Sequence, residues 1–210
     1  MTTHIYAFGS VCRGDIEYGS DIDLLVLLDC IDTRFDSNKF SIYSYNRIYQ
    51  LWEDGNPFAW HLHLESSMIY SSDGIDYLKS LGVPSRYKQC RNDCLKFHIL
   101  MQEAIASLKC SDTSKTFDLS TIFLGMRNIA SCFSLGYLNE PIFTRNSAIQ
   151  IGQHSINIDD NVYRTLENAR ILCTRGIGAN IDDYNVSIVM DSLSSIEAWA
   201  SRIVKILEEI

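Results

Sequence analysis

Two aspartates separated by one residue stand directly before a run of aliphatic side chains. Asp21 and Asp23 lead into Leu24–Leu28, which has the composition of a buried strand. Because successive side chains of a strand point to opposite faces, the two carboxylates share one face, with Cα atoms about 6–7 Å apart. Hard oxygen ligands at that separation suit Mg²⁺ or Mn²⁺. The pair therefore predicts a divalent metal site at the start of a core strand.

A glycine–serine pair lies upstream of the aspartates. Residues 4–8, "HIYAF", predict a short strand, and Gly9 and Ser10 follow it. Glycine permits a close backbone approach and serine supplies a hydroxyl, and both suit a phosphate group. A phosphate cradle beside a metal-binding carboxylate pair is what nucleotidyl transfer requires, because that reaction depends on positioning and charge neutralisation.

The same stretch resembles a known superfamily. Residues 9–10, a gap of ten residues and then residues 21–24, "DIDL", resemble the signature of the DNA polymerase β-like nucleotidyltransferases. The segments "CRGD" and "YGSDIDLLVLL" are similar to the minimal nucleotidyltransferases and aminoglycoside adenylyltransferases. The resemblance implies Mg²⁺-dependent transfer of a nucleoside monophosphate, AMP first among the choices, from ATP or another nucleoside triphosphate. The implied metal ligands are Asp21 and Asp23, and the implied nucleotide-binding residues are Gly9, Ser10, Arg13 and Ser20.

Members of this superfamily usually carry a third carboxylate on a neighbouring strand. In "KFSIYSY", residues 39–45, which alternates as a strand, the candidate positions Ser41 and Tyr43 are not acidic. The other candidate is Glu65, in "AWHLHLESSMIYS", residues 59–71. The spacing there fits either a strand or a helix that stops before "MIYS". On a strand, Glu65 is expected to complete the catalytic site as metal ligand or general base. On a helix, it is expected to be a surface or capping residue.

The character of the chain changes near residues 82–87. Beyond that point the apolar residues recur every three or four positions, which predicts helices. The first has a stripe containing Leu95, Ile99, Ile105 and Leu108, and others are expected over about 118–135, 160–173 and 184–209. We therefore predict an α+β protein: a nucleotidyltransferase domain with a small mixed sheet over 1–84, then a helical bundle over 85–210 that binds the acceptor substrate.

Composition limits the classes of partner. The net charge of −8 argues against a nucleic-acid-binding surface, which requires clustered Lys and Arg. The seven cysteines are odd in number and contain no C-x-x-C, which indicates reduced thiols and a cytoplasmic protein. The spacing of Cys90, Cys94 and His98 is compatible with zinc, but small buried groups on a helix are favoured. No apolar run is long enough to cross a membrane.

Two kinds of acceptor and two alternative activities also agree with the sequence. An aminoglycoside would suit the negative net charge, and a protein acceptor is implied by the similarity to nucleotidyltransferase antitoxins. Because relatives often have a helix before the first strand, a second copy of the chain is a candidate to cover that side. The first alternative is a degenerate regulatory protein or antitoxin that binds nucleotide without turnover. The second is a helical ribonuclease that uses Arg91 and His98, which lie seven residues apart and share a helix face.

Overall fold

The chain forms two compact units. The structure is a computed structural model that describes residues 2–15, 22–30, 32–110 and 113–209. The units are Met1–Lys88, which contains a mixed sheet, and Gln89–Ile210, which is helical. This arrangement confirms the predicted α+β class. The limits of 1–84 and 85–210 for two domains with separate roles stay predictions.

The first unit is built on a four-stranded sheet. The strands are β1 (Thr3–Phe8), β2 (Asp23–Leu28), β3 (Ser41–Ser44) and β4 (Ser66–Ser71). Their spatial order is β3-β2-β1-β4. β1 pairs antiparallel with both β2 and β4, whereas β3 runs parallel to β2. β1 therefore has a strand paired on each edge, and the second copy of the chain stays a prediction.

Among the described residues, four helices accompany the sheet: α1 (Ser10–Arg13), α2 (Tyr45–Glu53), α3 (Pro57–Glu65) and α4 (Tyr77–Ser80). The start of α3 is well specified, because the Asn56 side chain accepts a hydrogen bond from the N–H of Phe58 and Pro57 occupies the first helical position. The ambiguous stretch 59–71 is thus resolved into a helix that ends at Glu65 and a strand that begins at Ser66. The strand that would have carried Glu65 does not form.

One face of the sheet packs against helices and makes the core of the first unit. Its buried residues are Tyr6, Phe8, Leu25, Leu27, Ile48, Leu51, Trp52, Ala59, Leu62 and Leu78. The alternation along β2 puts Asp23 on the same face as Leu25 and Leu27, one step beyond the buried residues. The carboxylate of Asp23 therefore lies at the margin of this core, on the side where α3 packs.

The second unit contains five α-helices within the described residues: α5 (Cys90–Cys110), α6 (Lys115–Phe133), α7 (Ser147–Gln150), α8 (Asp160–Arg175) and α9 (Asp183–Glu208). A π-helical turn, Ser134–Leu138, extends α6. α6 contacts α5, α8 and α9, and α5 also contacts α9. Within the ranges described, no helix combines the length and apolar character needed to span a membrane.

The predicted buried face of α9 is confirmed, whereas the predicted stripe of α5 is partly wrong. On α9, residues such as Val189, Leu193 and Ile196 are buried as expected. On α5, Leu95 and Ile99 are exposed, although Ile105 and Leu108 are buried. In the N-terminal half of α5, the buried face consists of Cys90, Cys94, His98 and Met101. Burial of Cys90, Cys94 and His98 agrees with the alternative that their spacing favoured over a zinc site, so the error lies in the choice of Leu95 and Ile99.

Candidate active site

Two strand ends meet the turn that follows β1. Phe8, the last residue of β1, pairs with Asp23 on one side and with Ser66 on the other. Asp23 is the first residue of β2 and is exposed, in contrast to the buried Leu25. The strand register therefore places the Asp23 carboxylate beside the backbone of Gly9.

Gly9 is fixed by its neighbours as well as by its own conformation. Its φ of 75° and ψ of −138° lie in a region that residues with a side chain rarely adopt. A Cβ atom at this position would lie 3.1 Å from Asp23 Oδ2 and 3.8 Å from the ring of His61. The N–H of Gly9 donates to the carbonyl oxygen of Glu65 at 2.9 Å. Gly9 therefore allows three segments to approach, but its own N–H is already used.

Ser10 opens the single turn of α1. The N–H of Cys12 donates to the Gly9 carbonyl and the N–H of Asp15 donates to the Ser10 carbonyl, each at 3.0 Å. Gly14 ends the turn in the left-handed conformation. These bonds close the turn on itself and leave Ser10 partly exposed next to Gly9.

Arg13, His61 and Glu65 form a cluster of charged and polar groups beside this turn. Glu65 Oε2 accepts a hydrogen bond from Arg13 Nη1, and His61 Nε2 lies 2.9 Å from the same oxygen. Arg13 Nε also donates to Asp15 at 2.8 Å. His61 and Glu65 lie one helical turn apart on α3, and both side chains are 14% exposed. The carboxylate thus joins α1 to α3 through charged contacts.

The pKa values in this cluster reflect its charges. Burial raises the pKa of Glu65, but the hydrogen bond and charge of His61, followed by those of Arg13, outweigh burial and hold the pKa below its ordinary value. For Arg13, burial lowers the pKa, and the contacts with Asp15 and Glu65 more than compensate. Both groups are therefore charged at neutral pH, and Glu65 is a weak base.

Residues 2–80 match the family model described as the nucleotidyltransferase domain. The match covers the whole sheet and every residue of the site described above. The chain carries a nucleotidyltransferase domain. The general activity that such a domain indicates is transfer of a nucleoside monophosphate. No curated protein matches the sequence significantly.

The nucleotidyltransferase domain brings together five of the seven residues that the sequence singled out. Asp23, Gly9 and Ser10 surround one turn, and Arg13 and Glu65 are in contact next to it. Two others, Asp21 and Ser20, lie outside the described residues. The assignment of each residue to metal binding, nucleotide binding or catalysis stays a prediction.

His61 is the member of the site that the sequence did not select. From sequence alone, this histidine was expected to be no more than a packed or hydrogen-bonded side chain. The missed signal was the four-residue spacing of His61 and Glu65, which places both on one helix face once residues 57–65 are assigned to a helix. His63, by contrast, is exposed and lies edge-on to Trp52 and Trp60.

The residues of the domain fit a divalent cation in part. Asp23 offers a hard oxygen ligand beside Gly9, where the lack of a side chain keeps space open next to that oxygen. Neither Ser41 nor Tyr43 on β3 adds an acid, and Glu65 is engaged by Arg13 and His61. In the part of the chain that the structure describes, no group of three His, Cys, Asp or Glu side chains is arranged to hold a metal.

The helical unit offers little support for ribonuclease chemistry by Arg91 and His98. His98 is buried on α5, its Nε2 lies 3.4 Å from Ser201 Oγ, and burial lowers its pKa below the usual value. Arg91 is exposed and lies 4.0 Å from Glu208. One of the two side chains is therefore packed inside the unit while the other is at its surface.

Cys90 and Cys94, which share the spacing of His98, are also packed inside the helical unit. Their thiols lie against the carbonyl oxygens of Cys132 and Ile129 on α6. This packing agrees with the expectation of small buried groups on a helix.

Proposed function

We propose that the chain is a Mg²⁺- or Mn²⁺-dependent nucleotidyltransferase that moves AMP from ATP to an acceptor hydroxyl and releases pyrophosphate. In this reaction the hydroxyl oxygen forms a bond to the α-phosphorus, and the bond between the α-phosphorus and the oxygen that bridges to the β-phosphate breaks. The hydroxyl proton passes to solvent or to a base. The observation that carries the proposal is the Asp23 carboxylate beside the backbone of Gly9, within a matched nucleotidyltransferase domain.

The proposed roles follow from where each side chain lies. Asp23, together with Asp21, would hold the cation, which supplies charge neutralisation at the phosphates when it is bound. Ser10, which follows Gly9, would donate its hydroxyl to a phosphate oxygen, and Arg13 in the same turn would supply positive charge. Gly9 contributes space rather than a donor, because its N–H is bonded to Glu65.

The acceptor is proposed to bind to the helical unit. A groove of about 660 Å³ between α8 and α9 is lined mainly by polar side chains, among them Asp159, Asn168, Asn185 and Asp191, with the exposed ring of Tyr184 at its side. Carboxylate and amide oxygens beside an aromatic ring suit an acceptor rich in amines and hydroxyls, such as an aminoglycoside. Titration of aminoglycosides into wild-type protein and into Asp191→Asn tests this assignment, and equal affinity for the two would remove the groove from the proposal.

The proposed reaction is tested by two readouts, transfer of label from ATP to an acceptor and release of pyrophosphate. ATP labelled at the α-phosphate is incubated with Mg²⁺ and a panel of aminoglycosides and candidate protein acceptors, and transfer of label to one acceptor is expected. The other nucleoside triphosphates, tested in parallel, identify the preferred donor. Absence of release with every donor and acceptor would count against transfer by this chain.

A second candidate function is nucleotide binding without turnover. The observation that favours it is the engagement of Glu65 by Arg13 and His61, since this leaves no third acid beside Asp23 within the described residues. A protein of this kind would bind ATP in a Mg²⁺-dependent way yet release no pyrophosphate. Equilibrium binding and pyrophosphate release, measured on the same sample, separate the two functions.

A further inference from the structure

Glu65 is held in place by its backbone on both sides. It is the last residue of α3, and its carbonyl oxygen accepts the hydrogen bond from Gly9. The next residue, Ser66, is the first of β4 and pairs with Phe8. The side chain of Glu65 therefore projects from a point where a helix end and two strands are joined, and it has little freedom to move relative to Gly9.

His61 is held from two directions. Its Nε2 lies 2.9 Å from Glu65 Oε2, and its ring lies edge-on to the ring of Phe8, with centroids 5.7 Å apart. Phe8 is itself buried in the core beneath α3. The imidazole is thus fixed between the core and the carboxylate, in the position from which it approaches Gly9.

Arg13 differs from these two residues because it comes from a single helical turn. α1 contains only four residues, and one turn of helix has little stability of its own. Its guanidinium reaches two carboxylates, but Asp15 is 59% exposed while Glu65 is 14% exposed. Since ion pairs between exposed groups contribute little, the contact with Glu65 has to provide most of the restraint on Arg13.

From this geometry we infer that Glu65 and His61 are positioning residues, which hold the Arg13 guanidinium at the Gly9–Ser10 turn so that it meets the phosphates of the bound nucleotide. The inference rests on the proposed function, because it assigns the Arg13 contact to a nucleoside triphosphate. The positioning role of Glu65 takes the place of the two roles considered from the sequence, metal ligand and general base. Glu65 Oε2 accepts from Arg13 and lies 2.9 Å from His61 Nε2. A weakly basic carboxylate is also poorly suited to take a proton from a hydroxyl.

The experiment combines two measurements on Glu65→Gln, His61→Leu and the matched variant His61→Gln. A glutamine at position 61 can place an N–H near the position of the imidazole Nε2, whereas leucine cannot. The first measurement is the NMR signal of the Arg13 Nη1 hydrogens in the nucleotide-free protein, because Nη1 is the atom that donates to Glu65 whereas Nε donates to Asp15. The second is the affinity for a non-hydrolysable ATP analogue with Mg²⁺, measured by calorimetry. Thermal melts confirm that each variant is folded.

The three variants are expected to differ in their effects on the Arg13 signal and on the affinity for the ATP analogue. Glu65→Gln and His61→Leu should broaden or lose the Arg13 signal and weaken binding of the analogue by about tenfold to a hundredfold, the range for loss of a charge-assisted hydrogen bond. His61→Gln should remain within about threefold of wild type, because rescue by a matched donor is expected of a positioning role and not of a packing role. Where turnover is measurable, the KM for ATP should rise in the same variants while kcat changes little.

Different failures have different meanings. An unchanged Arg13 signal in Glu65→Gln would overturn the positioning role, whatever the nucleotide affinity. A fall in kcat alone would restore Glu65 as a general base, and a changed dependence on Mg²⁺ concentration would restore it as a metal ligand. If wild type bound no nucleotide, the proposed function would fail and the phosphate role of Arg13 with it, while the NMR comparison would still show whether the cluster holds Arg13.

Discussion

The backbone nitrogen of Gly9 lies 2.9 Å from the carbonyl oxygen of Glu65, and this hydrogen bond joins the turn after β1 to the end of α3. On one side of the bond, Gly9 faces the carboxylate of Asp23. On the other, the side chain of Glu65 binds Arg13 and His61. The bond therefore links the proposed metal-binding side of the site to its cationic side, so that displacement of one is expected to disturb the other.

A side chain at position 9 is expected to damage both the fold and the site. Gly9→Ala should lower the free energy of unfolding by about 1–3 kcal/mol, because alanine is strained in this backbone conformation. It should also weaken binding of Mg²⁺–ATP, since the new Cβ would lie 3.1 Å from Asp23 Oδ2. Urea denaturation and calorimetry measure the two effects.

The chain offers a control for the steric part of that effect. Gly14 also has a positive φ, of 81°, but nothing lies within 4 Å of a Cβ built there. Gly14→Ala should therefore lose stability to conformational strain while its affinity for Mg²⁺–ATP stays within about twofold to threefold of wild type. Equal loss of affinity in the two variants would mean that crowding at Asp23 is not the cause.

Removal of the Asp23 charge should abolish turnover without unfolding the protein. Asp23→Asn keeps the size of the side chain but loses a charged ligand of the proposed metal site, and a fall in pyrophosphate release of at least about 10²-fold is expected. The matched control is Asp29→Asn at the opposite end of β2, where the carboxylate accepts a hydrogen bond from the N–H of Thr2. Full activity in Asp23→Asn would remove Asp23 from the site.

Nucleotide should stabilise the protein only when a divalent cation is present. A ligand that binds the native state alone raises the free energy of unfolding by about 2.7 kcal/mol at a hundredfold excess over its Kd. ATP with Mg²⁺ should produce a shift of this order in wild type and a much smaller one in EDTA. The same small shift is expected for Asp23→Asn with Mg²⁺. Equal stabilisation by ATP with and without the cation would place the nucleotide away from Asp23.

The sequence predicted the part of the site that is built from local spacing. Gly9 and Ser10 follow one short strand and Asp23 begins the next, so their proximity follows once these two strands are assigned as neighbours. Glu65 was a harder case, because residues 59–65 alternate well enough for a strand. In the structure these residues belong to a helix, which begins with Asn56 as the N-cap and Pro57 at the first helical position. With that assignment, His61 and Glu65 share a face, and the cluster with Arg13 can be anticipated.

The buried face of α5 was predicted less well for a different reason. Leucine and isoleucine at 95 and 99 carry the strongest apolar signal, but both are exposed. The helix turns Cys94 and His98 inward, since the Cys94 thiol lies against a carbonyl oxygen of α6 and the His98 ring lies near Ser201 of α9. The spacing of Cys90, Cys94 and His98 already favoured a buried face, whereas Leu95 and Ile99 indicated a different one. The contacts with α6 and α9, which are far away in sequence, decide between the two.

The charge of Glu65 should make stability depend on pH in a defined window. The folded state holds the pKa of Glu65 below its ordinary value of 4.5, so folding favours the ionised form. The stabilisation is fully present above the ordinary value and is lost as the pH falls through the lower folded value. Wild type should exceed Glu65→Gln in free energy of unfolding by about 1–3 kcal/mol at pH 7. This difference should shrink as the pH falls below that ordinary value, because protonation removes the charge that the variant lacks.

Urea denaturation of both proteins at several pH values measures this difference directly. The control is Glu53→Gln, the same change at an exposed position at the end of α2, which should differ little from wild type at any pH. A Glu65→Gln difference that stayed constant from neutral to acid pH would mean that shape and hydrogen bonding, rather than the negative charge, account for its effect. In that case the ion pairs with Arg13 and His61 would contribute little to the fold, and the restraint on Arg13 would have to come from the α1 backbone and Asp15.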